Sequence, residues 1–275
     1  MTPTVTVLMS VYNELPCLEA ALGSILEQTL DDFEFLIIDD GSRDGSRELL
    51  TEYAARDRRL RILENAGNRG LGFSLARGVE EAQAPWVARM DADDIAVTDR
   101  LKMQMDYVTE HSDVDIVGGW AIEMDDQGNL LEERRVPTSH EEIRRLIWTN
   151  PLLHPTVMFR RESIRRVGSY RADVGRQEDY ELWFRCVKEG LHFANIPVPL
   201  LYIRFTEATL QRRNLRSQMS QMLVGWRGCW LVRASPIAYV GVAIPMLRGL
   251  VPPRFRPWIH RFLKAFDPRA KARDK

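Results

Sequence analysis

The chain has 275 residues, of which 45% are apolar and 28% are charged, as is ordinary for a folded globular protein. This length is close to the limit of a single hydrophobic core, so we expect one large domain with an appendage. The three cysteines are far apart and form no CxxC pair, so neither a disulfide framework nor a zinc site follows from them. We expect them to be reduced core thiols of a cytosolic protein.

The net charge of −1 hides an uneven distribution along the chain. Residues 204–275 contain 15 Lys and Arg against 3 Asp and Glu, whereas the preceding residues carry an excess of 13 acidic groups. The chain is thus an acidic body with a basic tail. Its N-terminus, MTPTVTVLMSVYNE, lacks the basic region of a signal peptide and is predicted to be a first strand. No stretch reaches the roughly 18 uninterrupted apolar residues of a membrane-spanning helix.

In the first 90 residues, short apolar runs alternate with amphipathic segments. The runs predict strands at residues 5–10, 33–39, 61–63 and 86–90, and the segments predict helices at residues 16–28, 48–56 and 73–83. This alternation predicts a parallel sheet covered by helices on both faces. Ligands of such sheets bind beyond the carboxyl ends of the strands. Three polar clusters follow strands here: Tyr12-Asn13-Glu14, Asp39-Asp40-Gly41-Ser42 and Asp91-Ala92-Asp93-Asp94.

The second half is less regular. The DDQG sequence predicts a hairpin between strands at residues 117–124 and 130–136. A helix is predicted at residues 139–148, a strand at residues 155–161, and a further helix that ends at Gly190. No internal repeat is visible.

Asp91 and Asp93 are candidate metal ligands. In an extended segment they would point to the same side, with Cβ atoms roughly 6 to 7 Å apart. A Mg²⁺ or Mn²⁺ ion is not easily held by both at that separation, so we expect one to bind the ion directly. The alternative is a solvated loop in which Asp94 or Thr98 caps the next helix.

The segment QEDYELWFRCVKEG predicts an amphipathic helix whose buried face begins at Asp179. Asp179 is therefore expected to point inward, toward a cleft, while Glu178 lies on the opposite face. The alternative is a carboxylate that only stabilises the start of the helix. His154, in a loop between an apolar pair and a proline, is most simply a surface or packing residue.

Six segments, taken in order, resemble family 2 glycosyltransferases of the GT-A fold. They are VTVLMSVYNE, SILEQTLDDFEFLIIDDGSRDGS, NRGLGFSLARG, ARMDADDIAVTDRLKMQ, HPTVMFRRE and EDYELWFR. The resemblance covers roughly residues 4–204 and is closest to bacterial members that build capsule, O-antigen or other exopolysaccharides. It implies an α/β domain with a Rossmann-like, mostly parallel sheet. It also implies an inverting transfer of a sugar from a nucleotide-diphosphate donor, most simply a UDP-sugar, to an acceptor hydroxyl, with Mn²⁺ or Mg²⁺ as cofactor.

The resemblance implies roles for individual residues. Asp40 would hold the base, while Asn68 and Arg69 would approach the ribose and diphosphate. Asp91 and Asp93 would form the DxD motif that binds donor and metal, with Asp94 as an additional candidate ligand. Asp179 would be the catalytic base. The loop that lines the nucleotide would consist of Val11, Tyr12, Asn13 and Glu14, and the candidates near the acceptor are His154, Glu178 and Trp183.

Three positions depart from the family pattern. Ser10 stands where many members have proline, Ala76 where many have asparagine, and Thr206 where many have histidine. The last departure puts in doubt a metal or phosphate contact from that position, although no acidic residue of the pattern is lost.

We divide the chain into a GT-A catalytic domain, residues 1–204, and a helical basic tail, residues 205–275. The nucleotide-binding half would span about residues 1–118 and the acceptor half about residues 119–204. In the tail, Pro257 can begin a helix with one aromatic face, formed by Trp258, Phe262 and Phe266.

Such a basic helix indicates binding to a membrane interface. The alternative is packing on the body or on a partner subunit, so the oligomeric state stays open. We expect a lipid-linked saccharide acceptor, a cytoplasmic protein peripheral to the inner face of the plasma membrane, and no nucleic-acid partner, because the acidic body would repel phosphates.

Three other functions compete with this one. A sugar-phosphate nucleotidyltransferase would usually carry a glycine-rich basic loop after the first strand, which SVYNELP does not provide. A glycoside hydrolase would need two carboxylates but no nucleotide. A non-catalytic sugar-nucleotide-binding subunit would not need every acidic position of the pattern, and turnover separates it from an enzyme.

Overall fold

The computed structural model describes residues 2–205 and 215–250. The strands are β1 (Val5–Val11), β2 (Phe33–Asp39), β3 (Leu60–Glu64), β4 (Trp86–Asp91), β5 (Ile95–Ala96), β6 (Ile116–Met124), β7 (Leu130–Arg134), β8 (Met158–Arg160) and β9 (Phe193–Arg204). The helices are α1 (Leu15–Leu26), α2 (Ser46–Arg56), α3 (Leu71–Glu81), α4 (Arg100–Glu110), α5 (His140–Arg145), α6 (Arg161–Arg166), α7 (Glu178–Lys188), α8 (Leu215–Leu231) and α9 (Pro236–Leu250). Short 3₁₀ segments lie at Ile147–Thr149, His154–Thr156 and Ala172–Gln177.

These strands form one sheet in the order β3-β2-β1-β4-β8-β6-β9-β5, and β7 pairs with β6. Strands β1 to β4 are parallel to one another, and β9 is parallel to β6. The other pairings, β4 with β8, β6 with β7 and β8, and β5 with β9, are antiparallel. The predicted α/β fold is confirmed, and the predicted hairpin is the β6–β7 pair.

The register of the parallel strands brings the polar clusters to one edge. In β1, Ser10 pairs with Asp91 of β4, and Val11 pairs with Asp39 of β2. The three strands therefore end at the same level, and the residues after them share the carboxyl edge of the sheet. Strand β2 is buried throughout, as expected for a parallel strand covered on both faces.

Two hydrophobic clusters cover the two faces of the sheet. One contains Leu8 and Leu36 with Trp183 and Phe184 of α7. The other contains Phe35 with Leu18 and Leu22 of α1. Helices on both faces were predicted from the alternation of elements. Each cluster removes continuous apolar surface from water, which is the main favourable contribution to folding.

The described part of the tail packs on the preceding body of the protein. Cys229 of α8 and both Ala238 and Val242 of α9 are buried in the same cluster as Trp183. The absence of a side chain at Gly228 permits this close packing, because a Cβ at this position would lie 2.1 Å from Cδ2 of Phe184. The division at residue 204 is therefore not matched by a break in the core.

The predicted aromatic face of the tail, with Trp258, Phe262 and Phe266, lies outside the described residues. So does Thr206. Among residues 2–205 and 215–250, no helix combines the length and apolar character needed to cross a membrane.

Candidate active site

The three aspartates after β4 come together. Carboxylate oxygens of Asp91, Asp93 and Asp94 all lie within 4.8 Å of one another. The extended geometry expected for this segment is wrong, because β4 ends at Asp91 and the chain turns at Ala92 and Asp93. The turn brings Asp94 into the cluster. In an extended chain, the side chain of Asp94 would have pointed to the opposite side. Three carboxylates are the hard oxygen ligands that Mg²⁺ and Mn²⁺ prefer, so the donor set fits such an ion.

Burial and mutual repulsion disfavour the charged forms of these groups. Burial, and then the neighbouring Asp91, raise the pKa of Asp93 to about 6. The same two causes raise the pKa of Asp94 well above its ordinary value. Oδ2 of Asp94 is buried and accepts no hydrogen bond within the described part of the chain. A bound cation would relieve both the repulsion and the missing contact.

Two arginines hold this acidic turn, and Arg89 was not among the residues predicted from the sequence. The guanidinium of Arg89 is buried and donates to both oxygens of Asp91, at 2.7 Å from Nη1 to Oδ2 and also from Nη2 to Oδ1. Arg204, at the end of β9, donates from its backbone N to Oδ1 of Asp94 at 3.0 Å and from Nε to the carbonyl of Asp93 at 3.1 Å. The only signal for Arg89 was its place two residues before Asp91 in a strand, on the same side.

A cavity of about 440 Å³ opens beside the acidic turn. The polar clusters at the ends of β1, β2 and β4 meet in it, together with the loop before α3. Its lining contains seven of the residues predicted to bind the donor: Tyr12, Asn13, Glu14, Asp40, Asn68, Asp91 and Asp93.

Two of the predicted donor-binding residues do not line this cavity. Val11 is fully buried in the core. Arg69 is exposed, and its guanidinium lies over the ring of Phe73, at 4.4 Å from the ring centroid. The side chain of Val11 belongs to the core, because it ends a buried strand. The predicted part of Val11 in the loop that lines the nucleotide stays a prediction.

Asp40 fixes the loop that closes one side of the cavity. Its Oδ1 accepts hydrogen bonds from Nδ2 of Asn65 at 2.6 Å and from the backbone N of Arg69 at 2.9 Å, and its Oδ2 accepts from the backbone N of Gly70 at 2.8 Å. Gly41 brings the same loop close, since a Cβ there would lie 2.7 Å from Cα of Gly67. The predicted contact of Asp40 with the base stays a prediction.

Asp179 lies at the start of α7, in contact with the loop that follows the 3₁₀ segment Ile147–Thr149. Its Oδ2 accepts a hydrogen bond from Nδ2 of Asn150 at 2.9 Å, and its Oδ1 accepts from the backbone N of Tyr180 at 2.6 Å. Burial raises the pKa of Asp179, while the two hydrogen bonds and the charge of Arg89 oppose the rise. A carboxylate with a raised pKa is a better proton acceptor than an exposed one.

Glu178 is not on the outer face of α7, and that expectation is wrong. Its side chain is only 5% exposed, and its Oε2 accepts no hydrogen bond from the described residues. The helical pattern failed here because the first residue of a helix is placed by the preceding loop. Burial, and then the neighbouring Asp179, raise the pKa of Glu178 to about 7.

His154 and Trp183 are core residues next to the site. Nε2 of His154 lies 2.9 Å from the hydroxyl of Tyr170, and the His154 and Trp183 ring centroids are 6.0 Å apart. Burial, and then the charge of Arg89, lower the pKa of His154 well below its usual value. Trp183 is fully buried, and its predicted place near the acceptor stays a prediction.

Relatives of known class extend over most of the chain. The profile of Glycosyl transferase family 2 matches residues 6–168. The chain is 35% identical over 211 residues to the amylovoran biosynthesis glycosyltransferase AmsE of Erwinia amylovora, covering 76% of this chain and 79% of that protein. It is 29% identical over 268 residues to the UDP-Gal:alpha-D-GlcNAc-diphosphoundecaprenol beta-1,3-galactosyltransferase of Escherichia coli, covering 94% of this chain and 96% of that protein.

Solved structures share the fold. TarS 1-349 from S. aureus matches with a TM-score of 0.68 at 16% identity, over 94% of this chain and 78% of that chain. TarS has also been crystallised in complex with UDP-GlcNAc. The mannosyltransferase PcManGT from Pyrobaculum calidifontis, in complex with GDP-Man and Mn²⁺, matches with a TM-score of 0.59 at 18% identity, over 100% of this chain and 83% of that chain. These similarities establish a GT-A fold. With the family profile covering more than half of the chain, this protein belongs to glycosyl transferase family 2.

Proposed function

We propose that this glycosyltransferase moves a sugar from a UDP-sugar to a hydroxyl of a lipid-linked saccharide, with inversion and with the help of a divalent metal ion. One observation carries the proposal: two pairs of acidic residues, from segments far apart in sequence, are close enough to one buried arginine to be influenced by its charge. The charge of Arg89 acts on Asp93 and Asp94 after β4 and on Glu178 and Asp179 in α7. The pair after β4 would help to bind the donor, and the pair in α7 would supply the catalytic base.

The cavity at the carboxyl edge of the sheet would bind the donor. It presents hydroxyl, amide and carboxylate groups, which suit the hydroxyl groups and base of a nucleotide. The TarS complex with UDP-GlcNAc supports a UDP-sugar. Asp40 would hold the base from the position where it already fixes the loop of Asn68 and Arg69.

Asp93 and Asp94 would hold the metal ion, because both oxygens of Asp91 are already bonded by Arg89. Asp91 would orient the turn and contribute its charge. A bound Mn²⁺ or Mg²⁺ would neutralise the negative charge that develops on the departing diphosphate. The Mn²⁺ in the PcManGT complex supports a metal in this fold.

Asp179 would act as the general base. Its carboxylate would accept the proton of the acceptor hydroxyl as that oxygen forms a bond to the anomeric carbon of the sugar. The bond from that carbon to the diphosphate would break at the same time, and its electron pair would leave with the nucleoside diphosphate. Attack from the face opposite the leaving group gives inversion.

The acceptor would be a saccharide on a lipid diphosphate, made at the cytoplasmic face of the membrane. The named substrate of the Escherichia coli relative, a sugar on diphosphoundecaprenol, supports this class of acceptor. The basic tail would hold the enzyme at the inner leaflet, next to such an acceptor.

The experiment is a screen of UDP-, GDP-, dTDP- and CMP-sugars with a lipid-diphosphate saccharide, with and without Mn²⁺. Release of nucleoside diphosphate together with a product of inverted anomeric configuration would support the proposal. Formation of nucleoside triphosphate and sugar 1-phosphate from the nucleotide sugar and added pyrophosphate would indicate a nucleotidyltransferase, and binding without turnover would indicate a binding subunit. In the same assay, Asp93→Ala should weaken donor binding in the presence of Mn²⁺; unchanged Mn²⁺ dependence would contradict the metal assignment.

A further inference from the structure

Asn150 has an uncommon backbone conformation next to Asp179. Its φ of 53° and ψ of 71° place it in the left-handed region, at the end of the 3₁₀ segment Ile147–Thr149. Residues with a Cβ adopt this region at a cost, and asparagine tolerates it better than most. Glycine would adopt it without strain, so the backbone alone does not explain why a side chain is present.

The side chain of Asn150 makes one hydrogen bond and leaves a second group unpaired. Its Nδ2 donates to Oδ2 of Asp179 at 2.9 Å, whereas its Oδ1 is buried and accepts no hydrogen bond from the described residues. A carboxylate accepts hydrogen bonds, which sets the orientation of the amide with its nitrogen toward Asp179. Asn150 therefore carries two unfavourable features, backbone strain and an unpaired buried oxygen. In return, its side chain makes one hydrogen bond, to the carboxylate of Asp179.

We propose that Asn150 is a positioning residue that orients the carboxylate of Asp179 for proton transfer; this inference rests on the proposed role of Asp179 as the base. With Oδ1 of Asp179 held by the backbone N of Tyr180, the amide of Asn150 fixes the second oxygen. The carboxylate is thus held at both ends, which restricts its rotation. Strained residues concentrate at functional sites, where they hold groups in a required geometry.

Several charged or titratable groups influence the same carboxylate. Glu178 is its neighbour in α7, burial raises the pKa of Asp179, and the charge of Arg89 in β4 lowers it. Burial raises the pKa of Tyr170, and the charge of Asp179 adds to this rise. The hydrogen bond from Asn150 lowers the pKa of Asp179 because it stabilises the ionised form. Loss of this bond should therefore change the pH dependence of the reaction, which a purely structural turn would not do.

The test compares Asn150→Gly and Asn150→Asp with the parent enzyme. Asn150→Gly relieves the backbone strain but also removes a hydrogen bond to a buried carboxylate, so these two effects oppose each other and the free energy of unfolding should change little. Its kcat/KM should fall about tenfold or more, because small errors in the position of a reacting group are costly. The acid limb of its kcat/KM profile should move to higher pH. Asn150→Asp keeps the shape but cannot donate when ionised, so its acid limb should move further in the same direction.

Arg233→Gly is the matched control, because Arg233 also has a positive φ of 53° but lies between α8 and α9. It should relieve the same backbone strain and leave the acid limb of the profile in place. If Asn150→Gly keeps a parental kcat/KM and acid limb, Asn150 only ends a turn and the inference is wrong. If Asp179→Asn retains turnover, the proposed base is wrong instead, whatever the Asn150 variants show.

Discussion

Arg89 connects the two halves of the candidate site at the scale of single residues. Five carboxyl groups, those of Asp91, Asp93, Asp94, Glu178 and Asp179, lie close enough to share its influence. A buried arginine remains charged, so it offsets part of their mutual repulsion before any metal or donor arrives. The site thus depends on the positive charge of Arg89, which is not part of the recognised sequence motif.

Asp179→Asn should abolish sugar transfer while donor binding stays nearly intact. The amide keeps the shape of the side chain, and it cannot accept the proton of the acceptor hydroxyl. General-base catalysis contributes about 10²- to 10⁴-fold, so the loss should lie in this range. Turnover with a competent acceptor and calorimetry with the donor measure the two effects. A variant that keeps more than about a tenth of the parental rate would remove Asp179 from this role.

Glu178→Gln should stabilise the metal-free protein above neutral pH and have little effect below pH 4.5. The pKa of Glu178 is raised from 4.5 to about 7 in the folded state, so the folded state binds the proton more tightly than the unfolded chain. Stability therefore falls as pH rises from 4.5 through 7, and glutamine removes this dependence. Urea unfolding of both proteins at pH 4, 6 and 8 measures it. An equal difference at all three values would show that charge burial at Glu178 is not the cause.

At the scale of elements, hydrophobic periodicity and motif order predicted the strands and helices whose formation depends on local sequence. The strands β1 to β4 and their polar ends follow from apolar runs, and α7 follows from its amphipathic pattern. The predicted helix at residues 139–148 is shorter, α5 (His140–Arg145), because a 3₁₀ segment and Asn150 follow it. The short strand β5 and the long strand β9 were missed, since their pairings join segments far apart in sequence.

Gly228→Ala should destabilise the protein by about 1 to 3 kcal/mol, in line with the usual cost of overpacking a core. The added methyl group would lie 2.1 Å from the ring of Phe184, so α8 would have to move away from α7. Gly23→Ala is the matched control, because Gly23 lies in α1 with nothing within 4 Å of its new Cβ. That change should stabilise by about 0.5 to 1 kcal/mol. Urea unfolding measures both, and equal effects would contradict the packing of α8 on α7.

At the scale of the whole molecule, helices α8 and α9 lie in the same C-terminal part of the chain that carries the excess of basic residues. Trp230, Ile237 and Val240 are 77%, 75% and 65% exposed, and Trp226 donates from its indole Nε1 to the carbonyl of Tyr239, joining the two helices. Large exposed aromatic and aliphatic side chains mark surfaces that contact a partner or a membrane. The sequence predicted a basic tail, but which of its residues pack on the body depends on the shape of α7.

Removal of residues 251–275 should weaken binding to vesicles that contain anionic phospholipid. This segment carries eight Lys and Arg against two Asp and Glu, and each basic residue near an anionic leaflet contributes about 1 kcal/mol. The deletion spares α9, whose Ala238 and Val242 are buried in the core, so the body should remain folded. Sedimentation with anionic and neutral vesicles at low and high salt measures binding, and Trp230→Ser tests the exposed helical surface separately. Binding should fall with salt and with the deletion, while transfer to a water-soluble acceptor stays unchanged. If the full-length protein does not bind anionic vesicles even at low salt, where attraction is least screened, the tail serves subunit contacts instead.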